Sequence, residues 1–314
     1  MTTKYKTFKL GLAASVIPTV LVLTPLTVPV SSAAQDDGSS QIVQYNSKKD
    51  SNKNSLKRSK TFLYNDVQSK PDPVVATATA PVKFTTTLDV SVPKISANIP
   101  YDLGYQGEDV YVAVIDTGVE AAHPFLQNRV ALEACFAALC PNGKNQQVGP
   151  GAAKPVHWHG THVSGIIGAI KNGAGIVGVA PSCKLVSVKV LGDNGHGGYA
   201  SIEEGIQKAM DSGAHIINMS LGASVTPPES LHNKIKEASQ RGIIIVAAAG
   251  NDSGEVNYPA KYPEVIAVGA IDESGNLAEF SSHGPEISVV APGVNIYSTC
   301  LLYTSPSPRD RQKS

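Results

Sequence analysis

The sequence carries no excess charge of either sign: Lys plus Arg number 26, and so do Asp plus Glu. That balance provides no long-range field to gather nucleic acid or a strongly acidic partner. Cysteine is scarce, four in 314 residues, so disulfides are not the main framework of the fold. No internal repeat is visible. Beyond the N-terminal segment no apolar run is long enough to span a bilayer. The triplet Asp-Thr-Gly occurs once, at residues 116–118, and not twice. What the chain does hold is 42% apolar residues, enough for a sizeable core, and 28 glycines with 21 prolines, which suit a loop-rich α/β enzyme.

The first 34 residues have the form of an export signal. Lys4, Lys6 and Lys9 precede the mostly apolar stretch Leu10 to Leu23, and Ser32-Ala33-Ala34 supplies a small-residue cleavage site before Gln35. An uncleaved anchor is the alternative, and Pro18, Pro25 and Pro29 argue against it. The expected destination is extracellular or periplasmic, with no membrane attachment after cleavage. Residues 35–90 read as a leader, propeptide or linker with weak structure. Lys48, Lys49, Lys53, Lys57, Arg58 and Lys60 crowd a polar stretch opposed only by Asp50. Cys135 and Cys140 flank a short segment that an oxidising compartment could close into a loop; two free thiols are an equal alternative.

From about Ser91 the texture becomes that of a folded domain. Val110 to Ile115, Lys184 to Val190, His215 to Met219, Ile243 to Ala249, Val265 to Val268 and Ile287 to Val290 are predicted strands. Ser201-Ile202-Glu203-Glu204 has the form of a capping box, with Ile202, Ile206 and Met210 on one face of the helix it would start. Thr226-Pro227-Pro228-Glu229 is a second helix start, followed by the stripe Leu231, Ile235 and Ala238, with Gly242 as the stop. Strands alternating with helices predict an α/β fold with a mostly parallel sheet and helices on both faces.

Asp-Thr-Gly belongs to two unrelated kinds of protease. One pairs two such segments in an all-β fold; the single copy and the βα alternation argue against it here. In the other, one Asp orients a His that activates a Ser. The stretches "AVIDTGVEAAHP", "HGTHVSG", "VKVLGDNGHGGYASI", "NMSLG", "IIIVAAAGNDSG", "YPAKYPEVIAVGA" and "FSSHGPEISVVAPG" follow in that order. Over residues 91–299 the chain resembles the subtilisin-like serine proteases, the subtilase family. The resemblance implies a three-layer fold and a secreted endopeptidase that cleaves polypeptides through an acyl-enzyme, acting as a monomer. It makes Asp116 the orienting acid and His159 the general base, and Asn251 the donor to the oxyanion. Gly195, His196, Gly197, Tyr199, Ser220, Leu221 and Gly222 match the segments that hold an extended substrate.

Other readings of the same residues are open to test. His157, His159 and His162 could share a zinc ion, and Asn251 before Asp-Ser-Gly could simply cap a turn. Many relatives bind calcium at a loop resembling Ile170 to Ile176. There the carboxylate after His-Pro is replaced by Phe125, so no cofactor is expected. The family's nucleophile lies in a Gly-Thr-Ser-Met-Ala block downstream of "APGVNIYST". Residues 300–314 read "CLLYTSPSPRDRQKS" instead, where Pro306 and Pro308 forbid the helix that block opens. They are taken as a tail foreign to the family on a truncated domain, leaving the 314-residue chain inactive and poorly folded. The alternative is a non-catalytic, peptide-binding pseudoprotease.

Overall fold

A computed structural model describes residues 91–173 and 176–302. The expected signal segment 1–34, the leader 35–90 and most of the tail lie outside the described residues. After two short helices, α1 (Ser91–Lys94) and α2 (Asn98–Asp102), the chain enters β1 (Tyr111–Asp116). Then come β2 (Val130–Cys135), β3 (Gln147–Val148), α3 (His159–Gly168), β4 (Lys184–Lys189) and α4 (Tyr199–Asp211). The order closes with β5 (Ile216–Met219), α5 (Glu229–Gln240), β6 (Ile244–Ala248), β7 (Val265–Ile271) and β8 (Ile287–Pro292). One eight-stranded sheet has the order β3-β2-β4-β1-β5-β6-β7-β8. All neighbouring pairs are parallel except β2 with β3.

Alternation along the strands sorts the core into two layers. Val112 and Val114 of β1, Leu185 of β4, Ile216 of β5 and Val246 of β6 join Val163 and Ile167 of α3. Ala113, Ile115, Val186, Val188, Ile217 and Ile245 join the stripes of α4 and α5, including Ile206 and Ile235. Side chains two apart share a sheet face, so Asp116 must lie on the same side as Val112 and Val114, under α3. Sealing Val163 and Ile167 there is worth about 1.5–3 kcal/mol each. On the inner strands Val246 and Val268 are buried in the α3 layer. Half-exposed apolar residues occur on β8, at Val289 and Val290.

Six strands were legible from the apolar runs, with ends displaced by a few residues. β2 and β3 were not, because β2 is only half-buried and its Glu133 turns out to receive Gly151 and Ala153 N–H groups. Both helix starts need correction. α4 begins at Tyr199 behind an extended Gly198, which leaves Ser201 and Glu204 within the helix instead of forming a capping box. α5 begins at Glu229, with Pro228 and not Thr226 at its cap. The ring of Pro228 disfavours helical backbone at Pro227, which delays the start. The stop at Gly242 holds: at φ +81° it receives the turn in which Ile243 N–H reaches Ala238 O and Gly242 N–H reaches Ser239 O.

Cys135 and Cys140 are bonded, five residues apart. A loop that short restricts the unfolded chain modestly, by about 2 kcal/mol. Replacing both cysteines by alanine is expected to lower unfolding free energy by about that much, read from urea denaturation with and without reductant. Cys183 is buried, and burial pushes its thiol up to about 12, which makes it a packing residue and not a reactive one.

Candidate active site

The chain starts its sheet in the middle. From β1 it moves out to β2, returns through β4 beside β1, and crosses by α4 to β5 on β1's other side. The carboxyl end of β1 is therefore the point where the winding changes direction, the place where open α/β sheets form their crevice. Asp116 is the last residue of that strand. Because β4, β1, β5 and β6 are parallel neighbours, the segments leaving their carboxyl ends emerge side by side. These segments carry Gly195–Tyr199, Asp116, Ser220–Gly222 and Asn251.

The Asp-Thr-Gly turn is a bonded unit. Thr117 N–H donates to Asp116 Oδ1 at 2.6 Å. Thr117 Oγ1 accepts from Gly160 N–H at 2.9 Å and donates to His157 O at 3.3 Å. The first turn of α3 is thereby pinned to the end of β1, with Glu120 N–H on Thr161 Oγ1 as a second tie. His159 opens α3, and its Nδ1 lies 2.8 Å from Asp116 Oδ1 and 3.0 Å from Oδ2. A carboxylate only accepts, so Nδ1 carries the proton and Nε2 of the neutral ring presents a lone pair. Both side chains are buried, and Nε2 has no hydrogen-bond partner among the described residues.

Two further residues shape this corner. Lys189 stands opposite Asp116 in the β1–β4 register. Its buried ammonium donates to Thr117 O at 2.9 Å and to Asp193 Oδ1 at 3.0 Å, which fixes the turn from below. Thr117 and Lys189 were not singled out from the sequence. A signal existed for Lys189: it shares strand parity with Leu185 and Ser187, so a charged residue occupied an inward position.

The remaining expected residues fall on three loops. Gly192 N–H donates to His196 O and Gly195 N–H to Gly192 O, a tight turn containing Gly195, His196 and Gly197. Tyr199 opens α4 and its hydroxyl donates to Val225 O at 3.2 Å. It thus links that loop to the one after β5. Ser220 and Leu221 are buried, Ser220 Oγ accepting from Asn218 Nδ2 at 3.0 Å. Beyond Gly222, Ala223 pairs antiparallel with Tyr258. Asn251 follows β6 in a bend whose neighbours are fixed, with Asn257 N–H on Ala249 O and Ser282 N–H on Gly250 O. β6 is two strands from β1, about 10 Å at the usual spacing, the span of a peptide backbone with its flanking groups.

The sequence model of the Subtilase family matches residues 107–314. The chain belongs to the subtilase family. It is 42% identical over 219 residues to an alkaline protease of Shouchella clausii, covering 68% of this chain and 54% of that relative. To Subtilisin Savinase of Lederbergia lenta it is 41% identical over 209 residues, covering 66% of this chain and 72% of the relative. Subtilisin DY of Bacillus licheniformis is 42% identical over 218 residues, covering 68% and 75%. The chain spans about half the length of the first of these.

Two of the three histidines of the zinc alternative have a ring nitrogen already engaged. His159 Nδ1 is committed to Asp116, and His157 Nδ1 accepts from His159 N–H at 3.2 Å. Among the described residues no group of three or more His, Cys, Asp or Glu could hold a metal ion. At the calcium-type loop, residues 174 and 175 lie outside the described set. Beside it, the Phe125 carbonyl oxygen accepts from Ile170 N–H.

Proposed function

We propose that the protein is a secreted serine endopeptidase of the subtilase type, in which Asp116, His159 and Asn251 act with a serine supplied by the family's Gly-Thr-Ser block. The observation that carries this is the buried His159–Asp116 contact at 2.8 Å, with Nε2 open to accept a proton. The serine hydroxyl gives its proton to Nε2 as its oxygen attacks the scissile carbonyl. Asp116 holds the ring in the right tautomer and stabilises the imidazolium. The Asn251 amide donates to the oxyanion. The imidazolium then protonates the leaving amine, and water repeats the sequence on the acyl-enzyme. The substrates are polypeptides laid along Ser220–Gly222 and Gly195–Gly197, with Tyr199 as a side wall. The reaction needs no cofactor, and the enzyme acts as a monomer outside the cell.

Residues 1–314 contain no Gly-Thr-Ser-Met-Ala block. The 314-residue polypeptide is therefore proposed to be inactive, with a non-catalytic peptide-binding role as the second reading. A fluorophosphonate probe separates the cases. The 314-residue chain is expected to stay unlabelled, and a version continued after Thr299 with the corresponding segment of Subtilisin Savinase is expected to label and hydrolyse casein. Labelling of the 314-residue chain that vanishes in His159→Ala would overturn the proposal.

A further inference from the structure

The helix that carries His159 has an unusual start. An α-helix leaves its first N–H groups without intrahelical partners. At α3 the cap residue Trp158 has helical backbone and offers no side chain to them. Two other groups do so instead. Gly160 N–H is taken by Thr117 Oγ1, and His159 N–H by His157 Nδ1 at 3.2 Å. The His157 ring is half-exposed, stacks on Trp158 with centroids 5.6 Å apart, and stands 6.4 Å from the His159 ring. An imidazole nitrogen accepts a hydrogen bond only while it is unprotonated. Once protonated it becomes a donor, and it also sets a positive charge at the positive end of the helix dipole.

We propose that His157 is a positioning residue: its neutral ring caps α3 and holds His159 against Asp116, and its protonation releases that hold. The proposal rests on the serine-protease reading of Asp116 and His159. The charged and titratable groups that act on His157 are His159, Asp116, Lys189 and Asp193. Burial, followed by the His159 ring and the Lys189 ammonium, pulls it below the ordinary histidine value; the Asp116 and Asp193 carboxylates pull the other way. The folded state thus disfavours the proton. The cap is complete at neutral pH, and the stability it adds falls as pH drops below the ordinary histidine value. Thr117 Oγ1, which carries no titrating proton in this range, keeps the Gly160 tie throughout.

The test follows single amides by hydrogen exchange in the 15N-labelled 314-residue chain between about pH 5 and 8, corrected for the intrinsic pH dependence of exchange. In the unmodified chain, protection of the His159 amide is expected to fall roughly three- to tenfold with acidification, the worth of one hydrogen bond, while Gly160 stays unchanged. His157→Asn supplies an acceptor that does not titrate, so His159 protection should persist at low pH. His157→Ala should lack it at every pH. Equal pH courses for the unmodified chain and His157→Asn would overturn the proposal, since the acid effect would then arise elsewhere. If His157→Ala fails to fold, the Asn comparison decides alone. The His159 Nδ1 proton, sought at low field in the same samples, keeps the two readings apart. Its absence in the unmodified chain sinks the Asp116–His159 reading; its presence with a pH-insensitive His159 amide sinks only the role of His157.

Discussion

His159→Ala is expected to lower peptide hydrolysis on the order of 10⁶-fold in a serine-bearing version of the protein, a magnitude known from a subtilisin and not obtained from this chain. The reason lies in the geometry at Nε2. That atom is a buried basic position at the carboxyl end of β1 with no hydrogen-bond partner among the described residues. Alanine leaves the serine hydroxyl with no base, and a hydroxyl is a poor nucleophile at neutral pH. Asp116→Asn is expected to cost less, roughly 10⁴-fold, through the wrong ring tautomer and not through lost position. An amide at residue 116 can donate to Nδ1, which would move the imidazole proton to Nε2 and remove the base. The two losses should not add in the double variant, because both act through the same ring. Steady-state hydrolysis of a chromogenic peptide at pH 8 measures this. Additive losses, or a His159→Ala enzyme within tenfold of the unmodified one, would refute a shared role.

Gly160→Ala is expected to destabilise the fold by about 3 kcal/mol, the upper range for overpacking a filled core, and to separate His159 from Asp116. A Cβ at residue 160 would stand 2.2 Å from Gly118 O and 3.1 Å from Asp116 Oδ1. The first contact is with backbone, so no side chain can swing away to relieve it. Gly118 cannot retreat either, because its own missing side chain faces Ala153 O at 2.2 Å and its φ is +99°. The helix must therefore lift. Lifting breaks the Gly160 N–H bond to Thr117 Oγ1 and lengthens the His159–Asp116 contact. Urea denaturation gives the stability loss, and the low-field proton on His159 Nδ1 should broaden or vanish. A variant of unchanged stability that keeps this proton would show that α3 need not lie so close to the turn.

Much of the site could be read because subtilase chemistry is written in short contiguous blocks. Asp116 ends an apolar run, His159 opens a helix, and Asn251 follows a strand buried on both faces. Each local pattern identified its element, and the order of the blocks identified the family. The parts that escaped are those whose meaning is relational. Nothing next to His157 in the chain announces that its ring accepts from His159 N–H. Thr117 reads as a turn residue until α3 arrives above it. Both helix starts were misplaced because local cap signals were judged without the loops that deliver the chain, an extended Gly198 in one case and Pro228 in the other. β2 escaped because it is only partly buried along its length and lacks a clean two-residue alternation.

The amino-acid sequence by itself determined the α/β class, the parallel sheet and, through the order of its motifs, the family. These follow from apolar periodicity and from residue types held in contiguous motifs, which survive without knowledge of any distant neighbour. Only the tertiary structure decided that Asp116 and His159 touch, that Cys135 bonds Cys140, and that Thr117, Lys189 and His157 brace the corner where they meet. Those facts depend on which strand lies beside which. The pairing of β1 with β4 and the seating of α3 on β1 bring together residues up to 73 positions apart, and such closeness is a property of packing.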